Sequence, residues 1–434
     1  MKSLFPGSNL RRLLAVLAPG FFLACIVAGT AIAQPTVQAG ADYHYTGTLV
    51  IDDQTGYIKA DWQISAYDQA DTTITFLLRD TLSDIQVTGR DVTDVKTVKQ
   101  EGFANFWATT VTLSRPPADD DRPAAINFSY AGILIPVPMD NLINAIEPGR
   151  VELNVDSFWF PIDSRFSKQL SADVSIHIGE GWQGVTTGDA IATKDGYRLL
   201  NTDPRLDIAF SLSKSFHITQ AEGYSIYDQR AQQKGVDKLV AAASQCREFL
   251  NTRFGQENPL PVSKLLITER PSSGYARENY IAFTDISETQ PAPLTRFVCH
   301  EMAHYWSAGA KFDTVDNWLN ESFAEYLGVM AVREYLGQAA YDEMLEAFAT
   351  QIADMDLPRI WKKGDTKRGH DRIAYRKAPL ALASLENTLG EELFLDFVRA
   401  WFNSPDKTTE GLLKALESVA GAEQANAFEI ALGT

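Results

Sequence analysis

The chain has 434 residues, with 39 Lys+Arg against 56 Asp+Glu and a formal net charge of −17. That acidity excludes a nucleic-acid grip, which relies on Lys and Arg releasing counterions from phosphates. At 45% apolar the composition is globular, and three Cys are too few for a disulfide scaffold or a multi-cysteine zinc module.

In chain order, Lys2, Arg11 and Arg12 precede an almost wholly apolar run, Leu13 to Ile26, and Ala31-Ile32-Ala33 makes a small-x-small site before Gln34. The pattern predicts a secretory signal peptide over residues 1–33. The same run is long enough for an uncleaved membrane anchor, but its flanks match cleavage better. A lipoprotein reading through Cys25 is weaker still, because the run stays apolar beyond it. Cleavage removes three cations and no acid, leaving 401 residues, a charge of −20, and the cysteines Cys246 and Cys299. Both are expected on helices as small core residues, unbridged. No later segment is apolar enough to span a membrane, so a periplasmic or secreted protein is expected.

Residues 34–222 read as a β-rich domain. Ile58, Ala60, Trp62, Ile64 and Ala66 alternate with polar residues, as do Trp107, Thr109, Val111 and Leu113, and Ala172, Val174, Ile176 and Ile178. Period-two alternation marks half-buried strands, and several of them between turn-rich breaks predict an antiparallel sandwich or saddle-like sheet. His44, His177 and His217 have no partner at ligand spacing and read as structural. Residues 223–434 change texture. Gln233 to Phe254 has helical periodicity, Val262–Thr268 is a short apolar strand, and helices are predicted at about 293–308, 317–337, 339–353, 371–389, 391–403 and 408–419. The fold class is therefore α+β: an all-β N-terminal domain, then a mostly α domain with a small sheet.

The chemistry concentrates in Phe297-Val-Cys-His300-Glu301-Met-Ala-His304-Tyr-Trp306. Two His four apart on a helix project from one face and can grip one metal ion, with Glu301 beside them within reach of a water: the His-Glu-x-x-His signature of zinc peptidases. Zinc needs a third protein ligand. Glu321, between Trp318-Leu319 and Phe323, is a carboxylate costly to bury unless it pairs or binds metal. Glu325, one turn on, reads equally as support for a ligand or as an ordinary salt-bridged acid.

Four blocks resemble the aminopeptidase N family of gluzincin metallopeptidases, which includes leukotriene hydrolase-type enzymes: His300-Glu301-Met-Ala-His304-Tyr-Trp306; Trp318-Leu-Asn-Glu321-Ser-Phe-Ala324; Tyr275-Ala276-Arg277-Glu278-Asn279, similar to a Gly-x-Met-Glu-Asn exopeptidase motif; and Tyr375-Arg376-Lys377-Ala378, similar to Tyr-x-Lys-Gly. The resemblance implies an all-β saddle domain before a thermolysin-like catalytic domain, and one Zn²⁺ per chain on His300, His304 and Glu321. It implies Glu301 as general base, Tyr375 as donor to the tetrahedral oxyanion, and Glu278 as anchor for the α-ammonium of a peptide substrate. Tyr275, Ala276, Arg277 and Asn279 would line the site for the first residue.

The departures from the family pattern are specific. Sixteen residues, where the family usually has eighteen, separate His304 from Glu321. Arg277 and Tyr275 replace Met and Gly, and a cation in the first pocket would favour acidic or polar residues. The Gln-rich anchoring motif expected in the β domain is missing. About sixty residues follow Tyr375, too few for the family's large C-terminal helical domain, so a more open site is expected. The reading is an exported zinc aminopeptidase acting on peptides. Its alternatives are an endopeptidase or a di- or tripeptide-releasing enzyme on the same scaffold, and a non-catalytic zinc-stabilised peptide binder. His370, in a basic loop before Tyr375, reads as solvated or as a contact for a substrate carboxylate.

Overall fold

The computed structural model describes residues 40–67, 70–101, 105–117, 122–135, 144–230, 233–268, 274–311 and 313–434. The predicted signal segment lies outside them. In the first half, a seven-stranded sheet is centred on Tyr43–Asp52, paired antiparallel with Tyr57–Ala66 and parallel with Leu170–His177. The parallel pair departs from the antiparallel expectation. Alternation records which face is buried and is silent on strand direction. Ile58, Ala60, Trp62, Ile64 and Ala66 are all buried, and Lys59, Asp61 and Gln63 between them are exposed. Two four-stranded sheets complete this half. The core between the sheets is aromatic. Trp159 packs on Trp62, Phe160 and Phe210, and the Tyr130 hydroxyl donates to the Trp159 carbonyl at 2.5 Å.

The second half is built on a five-stranded sheet in the order His217–Ala221, Tyr224–Asp228, Ser263–Ile267, Tyr280–Phe283, Tyr275–Arg277, so the predicted exopeptidase block forms the edge strand. Eight α-helices accompany it among the described residues, the first between its second and third strands: α1 (Gln233–Phe254), α2 (Pro291–Ser307), α3 (Trp318–Leu336), α4 (Gln338–Ile352), α5 (Ala378–Leu389), α6 (Glu391–Phe402), α7 (Thr409–Ala420) and α8 (Ala422–Leu432). α3 is buried on nearly every side, as an apolar helix at the centre of a core must be. The helix expected over 371–389 instead opens with a wide π-turn over Ile373–Lys377 before α5 begins, and α8 was not expected.

Cys246 and Cys299 do lie on helices in the core, but the expectation that they are unbridged is wrong. They form a disulfide between α1 and α2, with Cα atoms 5.0 Å apart. Helical periodicity placed each on a buried face without showing that the two faces meet.

Candidate metal centre

α2 and α3 pack so closely that Gly328 has no room for a side chain: a Cβ there would lie 2.5 Å from the Arg296 carbonyl of α2. This contact brings the first turns of α3 against the His-bearing turn of α2. His300 Nε2 and His304 Nε2 are 3.1 Å apart, and Glu321 Oε2 lies 3.5 Å from each. A tetrahedral ion with bonds of about 2.0–2.2 Å has ligand-to-ligand edges of about 3.3–3.6 Å. The triangle therefore fits one face of a zinc site, and two imidazoles with a carboxylate are donors zinc accepts. Glu301 also offers an oxygen within 4.8 Å of the imidazole nitrogens.

The donor triangle is braced from behind. Glu325 is fully buried and accepts from His300 Nδ1 at 2.9 Å, Arg296 Nη1 at 2.5 Å and Arg376 Nη1 at 2.6 Å. With Nδ1 so engaged, His300 turns Nε2 toward the triangle. Burial alone disfavours the His300 cation, but hydrogen bonds to Glu321 and Glu325 outweigh it and push its pKa up to about 10. Burial and the neighbouring His300 charge lower His304 to about 4. Burial opposes the Glu321 and Glu325 anions too, yet their partners, His300 first, hold both at about 2. Glu301, buried and facing two carboxylates, is raised to about 7. Tyr375 stacks on His300, with ring centroids 5.8 Å apart and planes 18° apart, and its hydroxyl interacts with Glu321. Glu301, Tyr375 and the three candidate ligands are thus together.

The edge strand is engaged differently from expectation. Arg277 does not present a free cation: its Nε donates to Asp207 at 2.7 Å, Nη2 to Asp156 at 3.0 Å, and Nη1 to the Ala276 carbonyl at 2.9 Å. That pairing balances the charge on which selection of acidic first residues would rest. Its charge is still felt at Glu301. Tyr275 points its hydroxyl at the buried Glu152, 3.0 Å away. Glu278 occupies the turn after the strand, in the left-handed region at φ +55°, and ion-pairs with Arg205. Asn279 donates to the Val262 carbonyl at 3.1 Å. His370 is exposed and accepts from the Arg372 N–H at 3.0 Å. Sequence reasoning missed Arg296, Arg376, Glu152, Asp156 and Asp207. Arg376 stood inside a quoted block, and its neighbour Tyr375 was the only signal.

Residues 242–430 match the family described as Peptidase family M1 domain. A probable aminopeptidase 1 of Sulfurisphaera tokodaii is 28% identical over 164 residues, 32% of this chain and 20% of that protein. The mitochondrial aminopeptidase 2 of Saccharomyces cerevisiae is 24% identical over 274 residues, 55% of this chain and 28% of that protein. The chain thus spans less than a third of the length of these curated relatives. Among solved structures, an M1 zinc metallopeptidase from Deinococcus radiodurans aligns with a TM-score of 0.67 at 16% identity, over 91% of this chain and 93% of that one. Native yeast LTA4 hydrolase aligns at 0.67 and 14% identity, over 90% of this chain and 66% of that one. At such identities the structural likeness is one of fold.

Proposed function

The chain belongs to the M1 family of zinc metallopeptidases, and from that premise we propose that it hydrolyses peptide bonds, most directly as an aminopeptidase. The observation that carries the reading is the donor triangle of His300, His304 and Glu321 with Glu301 and Tyr375 beside it. One zinc held there would polarise a peptide carbonyl and bring the pKa of water to about 7. Glu301, buried beside the imidazole nitrogens, takes a proton from the attacking water and passes it to the leaving amine. Tyr375 stays protonated, because burial and the nearby Glu321 raise its pKa well above the ordinary value, and its hydroxyl donates to the oxyanion. Glu278 and the buried Glu152 beside Tyr275 supply negative charge for an α-ammonium. A mutant of the Deinococcus enzyme is described as bound to a Tyr-ser-ala substrate, which suits a peptide ligand here.

Export fits the basic, then apolar, N-terminal segment, and a disulfide is at home in an oxidising compartment. No helix among the described residues is long and apolar enough to cross a membrane.

A second reading, cleavage that ignores the free amine, is favoured by one observation: Glu278 is already paired with Arg205. Hydrolysis of matched free and N-acetylated peptides separates the two. Aminopeptidase action predicts at least a ~100-fold preference for the free amine, and equal rates would transfer the assignment to the second reading. Glu301→Gln is expected to keep zinc and lose ~10³-fold or more in kcat. A pure peptide binder would lose nothing, because it turns nothing over.

A further inference from the structure

We propose that Arg376 is a positioning residue that sets Tyr375 against the metal-ligand cluster, an inference that rests on the role given to Tyr375 above. The argument begins with Pro379. In an α-helix the N–H of residue 379 would bond the carbonyl of Tyr375, four residues back, and proline has none to give. The backbone widens there into the π-turn Ile373–Lys377. Arg376 fills the missing bond: its Nη1 donates to the Tyr375 carbonyl at 2.5 Å.

The same nitrogen donates to Glu325 Oε1 at 2.6 Å, while Arg376 Nε donates to Gln351 of α4 at 2.6 Å. The guanidinium carbon lies over the Phe348 ring, 4.4 Å from its centroid. Glu325 divides its oxygens: Oε1 serves Arg376, and Oε2 serves His300 and Arg296. One buried carboxylate therefore fixes both the imidazole that faces the metal and the backbone that carries the oxyanion donor. Arg376 acts on the second of these and Glu325 on both.

The test is a double-mutant cycle read on two scales: kcat and KM with a good peptide substrate, and zinc affinity by chelator competition. Arg376→Met is expected to lower kcat ~10–100-fold with KM within ~3-fold and zinc affinity within ~3-fold of the parent. In a Tyr375→Phe background the same change is expected to cost less than ~3-fold, because nothing is left to position. Glu325→Gln is expected to weaken zinc binding ~10–100-fold. If Arg376→Met does not fold, Arg376→Lys enters the same cycle. It keeps the charge but cannot bridge the Tyr375 carbonyl, Glu325 and Gln351 together. Equal losses in the parent and Tyr375→Phe backgrounds, or a zinc loss in the Arg376 variant as large as in Glu325→Gln, would overturn the proposal. Full activity in Tyr375→Phe alone would instead refute the oxyanion role and the proposal with it. Activity lost by Glu301→Gln but kept by Tyr375→Phe marks that case.

Discussion

His300 lies between two carboxylates, 2.9 Å from Glu325 at Nδ1 and 3.5 Å from Glu321 at Nε2, and so holds a proton at both nitrogens up to about pH 10. A metal ion must displace the Nε2 proton to bind. His304, lowered to about 4, and Glu321, at about 2, have no proton to release near neutrality. Zinc uptake by the chelator-stripped protein is therefore expected to release one proton between about pH 7.5 and about pH 9, its affinity rising about tenfold per pH unit. Below Glu301's value of about 7 the slope steepens, because an incoming cation also drives the proton from that carboxylate. Calorimetry in buffers of different ionisation heat counts these protons, and a flat affinity above about pH 7.5 would show His300 neutral in the metal-free protein. At this scale the candidate ligands were legible, because two imidazoles one turn apart must share a helix face. Glu325 was legible only as an open choice. Arg296 and Arg376 were not, because their shared partner, Glu325, lies on a different helix from either, and no local spacing records that.

α2 carries the two imidazoles, and its placement depends on three contacts of different kinds: the Gly328 approach of α3, the apolar core, and the disulfide from Cys299 to Cys246 of α1. The limits of six of the eight α-helices were legible to within about two residues, because capping and apolar periodicity are local signals. The bridge was not, since its cysteines are 53 residues apart and either state buries a small sulfur side chain equally well. Nor was the π-turn at Tyr375, where periodicity runs on unbroken while Pro379 removes a donor. The bridge closes a loop long enough to contribute about 3–4 kcal/mol by restricting the unfolded chain. The variant with both Cys246→Ala and Cys299→Ala is expected to lose about that much in urea denaturation while its zinc affinity stays within ~3-fold. A large loss of zinc binding at unchanged stability would mean that the bridge holds the site itself.

Across the whole molecule, the two halves are joined around one edge strand. Tyr275 reaches Glu152, Arg277 reaches Asp156 and Asp207, and Glu278 reaches Arg205. Lys264, two strands in on the same sheet, donates to the carbonyls of Thr186 and Gly188. The order of an all-β half before a mostly α half was plain from the change of periodicity. The pairing of these charges was not, because acids and cations from residue 152 to residue 278 meet only through sheet topology. Arg277 is central to that seam, and its charge is balanced by Asp156 and Asp207, so it offers a substrate carboxylate no unpaired cation. Peptides beginning with Glu and with Gln are therefore expected to be hydrolysed within ~3-fold of each other. Replacing the residue should show instead as lost stability. Arg277→Met strands Asp207, whose side chain is 3% exposed, without its cation, at a cost of about 3–5 kcal/mol. Adding Asp207→Asn removes the stranded charge, so the double variant is expected to recover more than half of that loss in denaturant titrations. A double variant no more stable than Arg277→Met alone would mean that the arginine contributes through packing on Tyr275, whose ring centroid lies 5.2 Å away, more than through its charge.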